Sequence, residues 1–357
     1  MKNEPTLSPQ YSVLSTQSYM SVESRAETER LAALVRAFEG RRVLVLGDLI
    51  ADQFVSGEIS RVSREAPVMI LRHERTETVP GGAANCAMNL AALGARAAII
   101  GVVGDDPAGR ELLGRLEGAG VDCSGVVSAP GHGTTTKVRI LAGHAHSTRQ
   151  QVVRLDYESE LVRDEGVLAE VASNVAAAFE QAEAAIASDY NYGVACESTV
   201  APLRRAKGRA PVVVDSRFRM RDFAGFDSAT PNEDEVEQVA GRRFTDADAL
   251  AEEGERLRAE LGYRALLVTR GKHGMVLLEE GARPLHVGAV GSHEAVDVTG
   301  AGDTVIATYA LALASGADYA TAARLANHAG GVVVLKRGTA CVYPQELLAS
   351  LEHEGQV

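Results

Sequence analysis

From about residue 161 onward, short apolar runs alternate with amphipathic stretches, and this alternation limits the fold more than any other feature. A helix at 161–181 precedes a strand at 184–188. A helix at 195–207 precedes Pro211-Val-Val-Val-Asp215, and helices at 233–240 and 247–261 precede Ala265-Leu-Leu-Val-Thr269. A hairpin at 274–290 and two Ala-rich helices, 302–315 and 318–335, follow. Such alternation predicts a doubly wound, mostly parallel α/β sheet with helices on both faces. The N-terminal half agrees, with a buried strand at Val43-Leu-Val-Leu-Gly-Asp48, a small-residue helix at 83–93, a strand at 97–103 and a helix at 107–118. Two segments break the rhythm. Residues 53–77 and 133–157 are rich in β-branched and charged residues and read as a small β flap, or lid. Residues 1–24 are polar and aperiodic and read as a disordered tail, leaving 25–357 as one domain.

Composition narrows the function classes. The 357 residues carry a formal charge of −12, 4% aromatic residues and no Trp. An acidic chain without a base-stacking platform is a poor nucleic-acid ligand. No apolar run approaches membrane-spanning length, and the N-terminus lacks a signal-peptide pattern. Cys86, Cys123, Cys196 and Cys341 are scattered without C-x-x-C spacing, which suits free thiols in a reducing compartment. The expectation is a cytoplasmic protein with neither a membrane nor a nucleic-acid partner.

The strongest chemical signal is Asp297-Val-Thr-Gly-Ala-Gly-Asp-Thr304, which opens an apolar helix. Gly300, Ala301 and Gly302 at a helix start let backbone N–H groups face an anion, which the helix dipole also favours. No Gly-Lys-Ser/Thr follows, so this is not a P-loop. Val305 replaces the third glycine of a dinucleotide fingerprint. Asp303 in the first turn suits a general base that takes a proton from an attacking hydroxyl while the N–H groups hold a phosphoryl group. The competing reading is an Asp that caps its own helix.

Weaker signals flank it. In Thr230-Pro-Asn-Glu-Asp-Glu235, Asn232 and Glu235 form an oxygen pair suited to Mg²⁺ held through water, or else a capping box. A third signal joins Asp48 and Asp52 with Gly81, Gly82 and Asn85; Asp48 lies at the C-terminal end of a probable parallel strand, where open α/β sheets bind ligands. Carboxylates and an amide there suit sugar hydroxyls; the alternative is a turn Asp and a helix-packing glycine pair. Lys137, Arg139 and Arg154 in the flap suit a phosphate, or else a solvated surface.

Together these segments resemble the ribokinase-like (PfkB) sugar kinases, over about Ala37 to Leu351. The resemblance is carried by Pro80-Gly-Gly-Ala-Ala-Asn-Cys86 and its continuation, by Asn232-x-x-Glu235 and by Asp297–Asp303. The N-terminal half, including Ser60-Arg-Val-Ser-Arg-Glu-Ala-Pro67, is most similar to bacterial D-glycero-β-D-manno-heptose 7-phosphate kinases. The resemblance implies a ribokinase-like fold and an ATP-dependent sugar kinase. Asp303 would be the base, with the N–H groups of Ala301, Gly302 and Asp303 as anion hole. Asn232 and Glu235 would organise Mg²⁺ and the nucleotide phosphates. Asp48, Asp52, Gly81, Gly82, Asn85, Lys137, Arg139 and Asp189 would hold the sugar. Thr269, Arg270, Gly271, Gly274 and Asn327 would surround the nucleotide. The lid would close over the sugar and pair two subunits as a homodimer, and a monovalent cation such as K⁺ would sit near Asp297 and Thr299.

Two segments depart from the heptose kinases. Their Ser-Asp-Tyr-x-Lys-Gly is here Ser188-Asp-Tyr-Asn-Tyr-Gly193, and their Asp-Pro-Lys-Gly is here Asp215-Ser-Arg-Phe218. Tyr192 replaces one lysine, and Arg217, Arg219 and Arg221 stand near the other. The acceptor is therefore either a sugar phosphate read through arginine, or an unphosphorylated sugar or nucleoside. A non-catalytic binding regulator is the reading from a different class. No nucleotidyltransferase-like segment follows, so no fused second activity is expected.

Overall fold

The computed structural model of the protein describes residues 22–143, 149–244, 246–291 and 295–354. The expected tail therefore lies largely outside the described residues, and α1 (Val22–Arg36) begins within its last three positions. Then follow β1 (Arg42–Gly47), β2 (Leu49–Val62), β3 (Met69–Gly82), α2 (Ala83–Ala92), β4 (Arg96–Ile100), β5 (Val102–Gly104), α3 (Pro107–Gly118) and β6 (Val127–Ala129). Next come β7 (Thr136–Gly143), β8 (Gln150–Tyr157), α4 (Glu165–Phe179), β9 (Ala184–Asp189), α5 (Glu197–Arg205), β10 (Val212–Ser216), β11 (Ser228–Ala229), α6 (Glu233–Ala240) and α7 (Ala247–Leu261). The chain closes with β12 (Ala265–Thr269), β13 (Met275–Glu279), β14 (Leu285–Val287), α8 (Ala301–Ala314), α9 (Tyr319–Val333) and α10 (Pro344–Glu354).

The main sheet has the order β14-β13-β12-β11-β10-β9-β1-β4. From β4 to β12 every pairing is parallel, while β13 and β14 are antiparallel. Its central strands are covered on both faces, which is why they read as near-continuous apolar runs. Phe38, Leu90, Ile306, Leu325 and Leu351 pack one face, and Val171, Leu203, Val236 and Leu257 pack the other. Among the described residues, no helix is long and apolar enough to cross a membrane.

The flap is a four-stranded sheet ordered β3-β2-β7-β8. Both expected segments contribute, but the pairing runs further than 53–77, to Leu49 opposite Gly82. The lid is thus rooted directly in the end of β1 and the start of α2. Its two faces differ. Asp52, Lys137 and Asp156 line up across three strands, as do Phe54, Arg139 and Arg154. The opposite face carries Val55, Ile140 and Val153 in one row and Gln53, Val138 and Leu155 in the next.

Three elements escape the sequence pattern. β11 has two residues, too few to show a period, and β6 has three. Helix α10 has Pro344 at its start and buried Leu347 and Leu351, a usable signal that the reading passed over.

Candidate active site

Helix α8 begins at Gly300, whose φ of 76° lies in the left-handed region. A Cβ there would come within 2.5 Å of Asn85 Nδ2, so glycine is required by both backbone and neighbour. This turn aims the first N–H groups of the helix at the end of β1. The N–H of Ala301 donates to Val298 O at 3.2 Å, which corrects the three-donor anion hole. The N–H groups of Gly302 and Asp303 have no protein acceptor among the described residues.

Asp303 does not cap its own helix. Its carboxylate is buried and accepts from Asn85 Nδ2 at 2.8 Å, Tyr190 Oη at 2.9 Å and Cys86 Sγ at 3.4 Å. Burial pushes it up to about 6, against the pull of those three donors. Asn85 is held in turn by Asn89, which accepts from Thr304 Oγ1 at 3.0 Å. Helices α2 and α8 are therefore stitched by polar contacts directly beneath the catalytic candidate.

Two expected sugar ligands, Asp48 and Asp189, are braced by protein donors. Asp48 accepts the backbone N–H groups of Tyr190, Tyr192 and Val194 at 2.8, 3.0 and 3.1 Å. Burial pushes its carboxyl up to about 6. Asp189 accepts from Ser216 Oγ at 2.7 Å, from the Asn191 N–H at 3.1 Å and from the Arg219 guanidinium. Both carboxylates shape the loop after β9. A short buried carboxylate flanked by N–H groups is satisfied and oriented by them in this way.

Asp52 and Asn85 do face the site. Asp52 pairs with Arg139, and Gly81 lies so close that a Cβ there would meet the Asp52 carboxylate at 2.4 Å. Gly82 sits behind Gly81 at φ 57°, where β3 turns into α2. Lys137 is half-buried, with its ammonium 5.9 Å from the centre of the Tyr190 ring. The charged lid face is thus turned toward Asp303, and Lys137 and Arg139 are not simply solvated.

Asn232 and Glu235 form the capping box. The Asn232 N–H donates to Glu235 Oε2, and the Glu235 N–H to Asn232 Oδ1, both at 2.9 Å. Capping does not exhaust Glu235. Burial pushes its carboxyl up to about 7. Asp215, at the end of β10, is raised well above its usual range by burial and by the charges of Glu235, Asp303 and Asp189. The sequence reading missed Asp215 as a site residue; its place at the C-terminal end of a parallel strand was the available signal. Among the described residues, no group of three or more His, Cys, Asp or Glu side chains could hold a metal ion directly. A dication held through water fits the crowded carboxylates, because it relieves their mutual repulsion.

Thr269, Gly271, Gly274 and Asn327 do converge. With Ala301 and Gly302 they border a cavity of about 190 Å³ beside the start of α8. At Gly274, φ is 79° and a Cβ would lie 2.0 Å from Val287 O. Asn327 Nδ2 donates to Gly288 O at 2.7 Å and braces the far wall. Arg270 points away from this cavity. It pairs with Glu233 at 3.6 Å and borders a second opening of about 430 Å³, shared with Asn232 and Thr269. Asp297 accepts the N–H groups of Thr299 and Gly338, both at 2.9 Å. Beside Gly338, the buried oxygen Thr339 Oγ1 has no hydrogen-bond partner.

Of the substituted segments, Tyr192 donates its hydroxyl to Glu158 at 3.0 Å, tying the loop after β9 to the end of the lid. Arg219 is used by Asp189, and Arg221 pairs with Glu260. Arg217 is exposed and makes no ion pair among the described residues, and its charge reaches Asp215, Glu235 and Lys137.

The pfkB family carbohydrate kinase model matches residues 41–346. The chain is 42% identical over 323 residues to the bifunctional protein HldE of Pseudomonas paraeruginosa, covering 89% of this chain and 65% of that protein. It is 37% identical over 332 residues to the bifunctional protein HldE of Desulfatibacillum aliphaticivorans, covering 92% and 67%. The chain thus spans about two thirds or slightly less of these curated relatives. Among solved structures, Arabidopsis thaliana ribokinase complexed with ribose and ATP superposes with a TM-score of 0.67 at 20% identity, covering 88% of this chain and 99% of that one. Escherichia coli phosphofructokinase-2 in complex with potassium gives 0.71 at 19%, with the same coverage. At such identities the likeness shows the fold.

Proposed function

The chain belongs to the pfkB carbohydrate kinase family, an ATP-dependent kinase family, and we propose that it phosphorylates a hydroxyl of D-glycero-β-D-manno-heptose 7-phosphate or a closely similar sugar phosphate. The observation that carries this is Asp303: a buried carboxylate near pH 6, beside two unused helix N–H groups and under a cationic lid face.

The acceptor hydroxyl binds between Asp52, Asn85 and Asp303. Asp303 takes its proton as the oxygen attacks. The N–H groups of Gly302 and Asp303 hold the phosphoryl as charge builds on it. The nucleoside part of ATP lies in the cavity bordered by Gly274 and Asn327. Asn232, Glu235 and Asp215 would hold Mg²⁺ through its waters, and the bound ion would supply positive charge to the phosphates. The lid excludes water, which would otherwise compete as acceptor. Lys137 and Arg217 supply the positive charge that the missing lysines would have given, which supports a phosphorylated acceptor.

Homodimerisation through the lid belongs to the same reading. Val153, Leu155 and Tyr157 on the outer face of β8 are 46%, 46% and 63% exposed, an apolar strip that a second copy would cover. K⁺ near Asp297 and Thr299 is supported by the unpartnered Thr339 oxygen. A cytoplasmic setting fits the absence of a membrane-spanning helix among the described residues.

The test is ADP release with Mg-ATP, offering the heptose phosphate beside a panel of unphosphorylated sugars and nucleosides. Turnover of the phosphate alone is expected; turnover confined to the neutral panel overturns the acceptor assignment.

A further inference from the structure

Arg42 and Arg96 stand directly opposite each other on the parallel pair β1 and β4. Both are exposed, and neither makes an ion pair among the described residues. Glu183, whose carboxyl also feels the Arg42 charge, pairs with Arg41 at 2.8 Å and accepts the Arg42 N–H at 2.9 Å. Two like charges set beside each other repel, and an anion between them would offset that repulsion.

By the two-residue alternation of a strand, Arg42 and Arg96 share a face with Leu44, Ala98 and Ile100. That face looks toward the last turns of α4. There the opposing positions are small, Ala177 and Ala178, and Ala98 is small on the sheet side. The space they leave is a cavity of about 620 Å³, with both arginines at its margin and an apolar floor. Asn174 borders it and spends its Nδ2 on Gly125 O at 3.2 Å. Asp122, the carboxylate on its wall, has Oδ1 engaged by the Ser124 N–H at 2.9 Å. The volume falls within the range of small-molecule sites, roughly 300–1,000 Å³.

We infer that this cavity binds a small organic phosphate, with the phosphate on Arg42 and Arg96 and the flat or apolar part against Ala98, Ala177 and Ala178. The site lies at the N-terminal end of β1, about 17 Å along the strand from its active-site end by the usual rise per residue. It does not depend on the kinase reading.

The chain has no tryptophan, so Gln181→Trp at the cavity rim gives a single local fluorophore. The probes are AMP, adenosine and inorganic phosphate. AMP is expected to give a saturable fluorescence change at concentrations at least tenfold lower than either fragment. Adding R42S and R96S should weaken that response at least tenfold while ADP release by the variant persists. No saturable change, adenosine matching AMP, or a response indifferent to R42S/R96S overturns the site. In the chain without the fluorophore, R42S/R96S should shrink the rise in melting temperature caused by AMP; an equal rise in both forms also overturns it.

Discussion

Asn85 Nδ2 lies 2.8 Å from Asp303 Oδ2, although 218 positions separate them in the chain. The contact ties α2, which follows the flap, to α8, which carries Asp303. Strand β3 of the flap runs straight into α2, so the flap and the Asp303 carboxylate are joined through Asn85.

Asp303→Asn should lower kcat by about 10²- to 10⁴-fold, the usual worth of a positioned general base. ATP affinity, read by titration of the variant, should stay within a few-fold. Retained turnover would exclude Asp303 as the base.

The pH dependence follows from burial. Asp303 works only when ionised, and burial holds its carboxyl up to about 6. kcat/KM should therefore climb with pH through about 6 and level off above it. The same raised value opposes stability with the opposite sign. Between the unfolded value, about 4, and about 6, the folded state binds the extra proton, so this group's contribution to stability falls as pH rises through that window. A rate profile flat from pH 5 to 8 would contradict the assignment.

Tyr190→Phe removes a donor that favours the ionised carboxylate. The acid limb of the rate profile should move upward by less than one pH unit, with only a modest loss at pH 8. A purely structural tyrosine would lower the rate equally at both pH values.

Gly300→Ala forces a Cβ toward Asn85 at a left-handed backbone position. A loss of about 1–2 kcal/mol is expected from the conformation alone, measured by urea denaturation. kcat should fall further than the stability loss explains, because Asn85 must move off Asp303.

Arg217→Ala tests acceptor charge. Removing one charged contact to a phosphate costs about 1.5–3 kcal/mol. KM for the phosphorylated acceptor should rise about tenfold to a hundredfold, with ATP KM unchanged. The comparison arm is Leu155→Asp on the outer lid face, which should convert a dimer to a monomer by light scattering without that selective rise.

The sequence by itself determined the layered architecture. Buried parallel strands must be apolar on both faces, and β1, β9, β10 and β12 announce themselves that way. It also determined the helix start after Gly300, because the left-handed backbone there favours glycine. The tertiary structure decided which groups each buried carboxylate meets. Asp48 and Asp189 stand at the ends of apolar strands and Asp303 in the first turn of an apolar helix, and the sequence names no partner for any of them. Three backbone N–H groups meet the first, Ser216, Arg219 and the Asn191 N–H meet the second, and the side chains of Asn85, Tyr190 and Cys86 meet the third. Apart from Asn191, those partners come from segments far along the chain. Their positions depend on how the layers pack, and no local pattern encodes that.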